Sequence, residues 1–138
     1  MEIHVIRHTP VDTPAQMCYG QLEVPLAASF ETDVQQYAAT LDTDFEVVYS
    51  SPATRCVALG EALGHTPLHQ NQRLLELDFG AWEGQTWDAI PKDALHRWMG
   101  DFVHERPTGG ESFEEMAQRV HGYMDELRAQ SYDKVLLI

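Results

Sequence analysis

An α/β fold on a mainly parallel sheet is predicted by three features of this chain. Short, β-branched apolar runs alternate with longer stretches of helical periodicity. The runs are apolar throughout, as suits strands covered on both faces. The helical stretches carry their own start and stop signals. The first strand is Ile3-His4-Val5-Ile6. A helix follows over Ser29 to Leu41, then a second strand, Phe45-Glu46-Val47-Val48-Tyr49. The next helix covers Ala53 to Leu63, with Ser51 as N-cap, Pro52 at the first helical position and Gly64 just past the end. A third helix covers Lys92 to His104. The strongest helix is Phe113 to Arg128, where Phe113, Met116, Ala117, Val120, Met124 and Leu127 form one apolar stripe. Ser112 followed three residues later by Glu115 is a capping box at its start. Val135-Leu136-Leu137-Ile138 is the third strand.

The chain has 138 residues, the size of one domain, with no repeat, low-complexity tract or linker. Residues 1–138 are therefore read as a single domain. A content of 43% hydrophobic and 22% charged residues excludes a disordered chain. No apolar run approaches the ~20 residues of a membrane span. The segment Met1 to His8 has neither a basic n-region nor a long apolar h-region, so it is not read as a signal peptide. Cys18 and Cys56 are too few for a disulfide scaffold and are read as free thiols of a cytoplasmic protein.

Charge narrows the partners. Nine Lys+Arg against 22 Asp+Glu leave a net charge of −13, which repels nucleic acid and anionic membrane. Before Arg73 the only cationic side chains are Arg7 and Arg55, among nine acidic ones. An acidic protein that handles an anion needs a local exception to its own field, and these two arginines are candidates.

In a parallel α/β sheet, ligands bind at the carboxyl ends of the strands. That rule selects Arg7-His8-Thr9-Pro10 after the first strand, and Ser50-Ser51-Pro52 with Arg55 after the second. A guanidinium grips phosphate oxygens in a fork, and a neutral imidazole nitrogen can attack phosphorus. The bland alternative is an edge histidine beside a surface arginine. Arg55 falls on the first turn of a helix, where a cation is unfavourable unless an anion sits against it.

The run Leu74 to Gly84 interleaves three carboxylates with large apolar residues. An apolar setting disfavours the charged carboxylate and suits a general acid. Glu76, flanked by leucines, is the candidate, against the alternative of a solvated loop charge. Glu83, between Trp82 and Gly84, is read as a structural hydrogen-bonding residue. In Pro107 to Ser112 the capping box explains Ser112, while Glu111 is open between a ligand-facing role and none. No H-E-x-x-H is present, and Thr66-Pro67 separates His65 from His69, so no metal site is read. P-loop, dinucleotide and nucleophile-elbow motifs are absent.

Four of these segments together resemble the histidine phosphatase superfamily, the phosphoglycerate-mutase-like fold. They are Arg7-His8-Thr9, Ser50-Ser51-Pro52-x-x-Arg55, the run from Leu74 to Gly84, and Gly110-Glu111-Ser112, in the family's order and at similar intervals. Cys18-Tyr19-Gly20-Gln21 and Val24-Pro25-Leu26 are most similar to α-ribazole-phosphatase-like members. The resemblance implies a three-layer α/β/α architecture. It implies His8 as the nucleophile that becomes phosphohistidine, Arg7 and Arg55 as the phosphate clamp, and Glu76 as the proton donor. It also implies Tyr19, Gly20, Glu111 and Ser112 near the substrate, and no metal or organic cofactor.

Two departures stand out. Many relatives read Arg-His-Gly-x-Thr-x-x-Asn, and Val11 and Pro14 replace the last two polar positions. The family also carries a second histidine after the strand equivalent to Val135–Ile138, where this sequence ends. His121 lies on the amphipathic helix and does not replace it. The chain is therefore expected to be part of a longer protein, truncated after Ile138.

The function expected is hydrolysis of a small phosphate ester, such as α-ribazole 5′-phosphate, by a histidine-acid-phosphatase-type phosphoric monoester hydrolase. Mutase-type phosphoryl transfer ranks lower, because so few cations serve a doubly anionic substrate poorly. A catalytically impaired phosphate-binding domain is the third reading.

Overall fold

The apolar run near the end of the chain lies inside the sheet. The computed structural model describes residues 1–138. Four strands, β1 (Glu2–Val5), β2 (Val47–Ser50), β3 (His69–Gln70) and β4 (Lys134–Leu137), pair in parallel in the order β1-β4-β2-β3. Val135 is paired with Ile3 on one side and Val47 on the other, and Leu136 with His4 and Val48. Val135 and Leu136 are fully buried.

Strand periodicity divides these residues between two cores. Val48, Leu136 and Ile138 face the helices α1 (Phe30–Thr40) and α2 (Thr54–Ala62), meeting Val34, Tyr37, Cys56 and Leu59. Val47, Val135 and Leu137 face α4 (Phe113–Arg128), meeting Tyr123 and Leu127. The result is the expected three layers, with helices on both faces of a parallel sheet. A separate cluster joins Cys18, Trp82 and Ile90 to Phe79, Trp87 and Trp98 of α3 (Lys92–Gly100). It holds Cys18 against the segment 79–90, where Cys18 N donates to Gln85 O and Gly84 N to Cys18 O.

The capping box at α4 is present in full: Ser112 Oγ accepts from Glu115 N, and the Glu115 carboxylate accepts from Ser112 N. Other boundaries differ from expectation. α2 begins at Thr54, two residues beyond Pro52, because Ser51 Oγ accepts from Ala53 N and holds Pro52 and Ala53 outside the helix. α3 stops at Gly100, where Asp101 leaves helical geometry and gathers His104 into a turn through its carboxylate. β3 was not anticipated, since two exposed polar residues carry no strand pattern. Three 3-10 turns, Gln72–Leu74, Gly80–Trp82 and Trp87–Ala89, occupy the ground between β3 and α3.

Candidate active site

The carboxyl ends of β1, β2 and β4 converge on one cavity of about 190 Å³, lined by Arg7, His8, Ser51, Arg55, Glu76 and Ile138 among others. The four residues picked from separate segments of the sequence therefore meet. His8 also borders a cavity of about 280 Å³ with Arg7, Val11 and Tyr19. On its other side lies one of about 420 Å³ walled by Asp33, Gln36, Tyr37 and Thr40 of α1.

His8 is half-buried, and its Nδ1 lies 2.7 Å from the Thr9 carbonyl oxygen. A carbonyl only accepts, so Nδ1 carries the proton and Nε2 keeps a free lone pair. Burial pulls the His8 pKa below its ordinary 6.5; Arg55 and Arg7 pull the same way, against the Thr9 hydrogen bond and Glu76. Its resting form at neutral pH is the uncharged imidazole. The Tyr37 hydroxyl donates to the Arg7 carbonyl at 2.7 Å and fixes the backbone one residue earlier.

Arg55 is 2% exposed, though it is an arginine on a first helical turn. Its Nη2 donates to Gly20 O at 2.5 Å and its Nη1 to Leu22 O at 3.2 Å, while Nε is buried without a partner. The Tyr19 ring stands 5.5 Å from the guanidinium. No carboxylate pairs with Arg55 or Arg7, nor with Lys92 or Arg97, whereas Arg73, Arg106, Arg119 and Arg128 each have one and Lys134 has two. At this helix N-terminus both Glu23 oxygens accept from Thr54 N, at 3.1 and 3.2 Å, but this carboxylate does not pair with Arg55.

The loop that carries Tyr19 and Gly20 is held from below. Glu83 Oε1 accepts from Gly20 N at 2.8 Å and from Gln21 N at 2.6 Å, the hydrogen-bonding role expected of it. A Cβ on Gly20 would stand 1.9 Å from Leu77 O, so only glycine fits there.

Glu76 corrects one expectation. Its side chain is exposed rather than enclosed by Leu75 and Leu77. What it has is place: its Oε1 accepts from Leu77 N at 2.9 Å, at the edge of the His8 cavity. Glu111 and Ser112 do not line that cavity. Glu111 accepts from Asp78 N at 3.1 Å and from Arg119, and Ser112 is buried as the α4 cap. Gly80, at φ +56°, lets this loop close, because a Cβ there would stand 2.4 Å from Thr108 O.

Sequence reasoning missed Glu23, Tyr37 and Arg119. Each acts on a backbone group 30 or more residues away, and no local pattern marks such a bond. No three histidine, cysteine or carboxylate side chains converge as a metal would need. No helix is long and apolar enough to cross a membrane. The cavity thus offers a nucleophilic lone pair flanked by two guanidiniums free of internal anions, in a chain that otherwise repels anions. That combination suits a phosphoryl group.

Comparison with known proteins agrees. The model of the histidine phosphatase superfamily (branch 1) matches residues 3–138. The crystal structure of the α-ribazole phosphatase from Shigella flexneri superposes with a TM-score of 0.88 at 29% identity, covering 99% of this chain and 72% of that one. The adenosylcobalamin/α-ribazole phosphatase of Escherichia coli K12 is 27% identical over 147 residues, 100% of this chain and 72% of its own. A Hydrogenobacter thermophilus protein named as a phosphoserine phosphatase is 32% identical over 67% of this chain; the chain spans 49% of its length.

Proposed function

This chain belongs to the histidine phosphatase superfamily, and from that premise we propose that it hydrolyses a small phosphate monoester through a phosphohistidine on His8. The observation that carries the reading is the His8 geometry: Nδ1 tied to Thr9 O, Nε2 free, and two carboxylate-free guanidiniums on the same cavity. Nε2 attacks phosphorus and the ester P–O bond breaks. The departing alkoxide takes the proton of the Glu76 carboxyl. Water then attacks the phosphoryl group and gives a proton to Glu76. The P–N bond breaks, Nε2 recovers its lone pair and inorganic phosphate leaves. Phosphoryl transfer asks little more of a protein than positioning and charge stabilisation, which Arg7 and the unpartnered Nε of Arg55 supply.

The substrate proposed is α-ribazole 5′-phosphate. It is supported by the likeness to two α-ribazole phosphatases over essentially the whole of this chain, and by the strapped Tyr19–Gly20 loop beside His8. Because a relative is named for phosphoserine, the two esters should be compared directly. A kcat/KM at least tenfold higher for α-ribazole 5′-phosphate supports the assignment, on the ~1.4 kcal/mol that a factor of ten represents. Preference for phosphoserine overturns the substrate and leaves the chemistry standing. Hydrolysis should be blocked by vanadate and unaffected by chelators.

The pH dependence follows from His8. The nucleophile is the neutral imidazole, so kcat/KM should fall as acid protonates it, with the midpoint below the ordinary 6.5. Arg7 is exposed and its guanidinium makes no hydrogen bond within the chain. Arg7→Met should therefore lower kcat/KM by about 10²-fold without moving the denaturation midpoint. Removing one cation should also shift the acid limb up toward 6.5. An unmoved limb would show that Arg7 does not face His8 in solution.

A further inference from the structure

We propose that Arg119, on α4, is the positioning residue for Glu76. The inference rests on the reading of Glu76 as the proton donor and adds what aims it. Leu75 to Phe79 has no regular secondary structure; backbone bonds hold it at Leu75 N to Gln72 O and at Glu111 N to Asp78 O, and side chains fix the path between. Gln21 Nε2 donates to Glu76 O at 3.2 Å, and the Arg119 guanidinium supplies the larger share. Its Nη1 donates to Arg73 O at 2.8 Å and its Nη2 to Glu76 O at 3.0 Å, bracketing the segment that presents Glu76. Nε and Nη2 also hold the two oxygens of Glu111, at 3.0 and 2.5 Å. Glu111 in turn accepts from Asp78 N at 3.1 Å. One guanidinium therefore sets the backbone before, at and after the proton donor, and ties it to a helix anchored in the core through Tyr123 and Leu127.

Arg119 lines none of the cavities that His8 borders, so it is not a phosphate ligand. Its pair with Glu111 is largely shielded, with side chains 20% and 18% exposed. Lysine cannot replace it: one ammonium does not span two carbonyls and a carboxylate in fixed directions.

Leaving-group dependence separates aiming from mere support. p-Nitrophenyl phosphate releases an acidic phenol that departs without a proton, whereas glycerol 2-phosphate releases an alkoxide that needs one. Both substrates are measured on the same preparations of wild type, Arg119→Lys and Glu76→Gln. The ratio of the two rates is independent of the fraction of enzyme that is folded. Glu76→Gln should lose about 10²-fold or more on the alkyl ester beyond its loss on the aryl ester. Arg119→Lys should show the same bias at about tenfold, because displacement of a catalytic group by about 1 Å costs on that order or more. Glu111→Gln, which keeps the Asp78 bond and weakens the ion pair, should show the bias to a smaller degree. Equal losses on both esters in Arg119→Lys, with the bias intact in Glu76→Gln, would make Arg119 a structural residue only and overturn the proposal. Absence of the bias in Glu76→Gln would instead remove Glu76 as the donor, and this proposal with it.

Discussion

His8→Ala should lower turnover of any phosphate ester by about 10⁴-fold or more, the scale seen when a covalent nucleophile is removed. The fold should survive, since the His8 side chain makes a single hydrogen bond, to its own neighbour Thr9. Both guanidiniums remain in the cavity, so inorganic phosphate should bind the variant at least as well as the wild type. A denaturation midpoint and a phosphate titration check those two points, and a stopped assay with p-nitrophenyl phosphate checks the third. Loss of activity together with loss of phosphate binding would point to a collapsed site. Loss of activity alone assigns the chemistry to the imidazole.

Arg55→Met carries the second large effect, and it acts twice. In the proposed chemistry the guanidinium stabilises the transferring phosphoryl group, and removal of one such donor costs about 10²–10³-fold in rate. It also fastens the 19–22 loop through Gly20 O and Leu22 O. Hydrogen bonds from a charged donor contribute about 1.5–3 kcal/mol each. Relief from burying the charge offsets part of this, leaving an expected net loss of about 1–3 kcal/mol by urea denaturation. Arg55→Lys should recover little, because one ammonium cannot reach both carbonyls and still present a donor where Nε points. Arg7→Met, which breaks no internal bond, is the control that loses rate and keeps stability. If both variants unfold at the wild-type midpoint, Arg55 does not strap the loop in solution.

Much of this site was legible because strand ends are legible. Val135–Ile138 could only be a covered strand, and the amphipathic stripe with its Ser112–Glu115 box could only be α4. Once the sheet is parallel, Arg7, His8 and Ser51 fall at its carboxyl edge without further information. Arg55 lies on the same cavity as His8, but its first-turn position on a helix is only part of what holds it there. The helix N-terminus beside it is satisfied by Glu23, 31 residues away, and the guanidinium is spent partly on carbonyls of the same distant loop. Glu76 borders the same cavity, yet its carboxylate is exposed despite the flanking leucines that suggested burial. Glu111 faces Arg119 and Asp78 rather than the cavity, which flanking residues in sequence cannot reveal. Local chemistry finds the ends of strands and helices. The bonds that aim those ends at one another join residues far apart in the chain.

The proposed chemistry turns on a covalent phosphoryl group at His8. The most direct test mixes the protein with p-nitrophenyl phosphate, quenches in alkali within the first turnover, and maps the modified peptide by mass spectrometry. Alkali is required because the P–N bond is labile to acid. The prediction is one phosphoryl group per chain, on His8, appearing with a burst of one equivalent of nitrophenolate and absent from His8→Ala. A phosphoryl group on any other residue, or steady hydrolysis with no phosphoenzyme under these conditions, would contradict it.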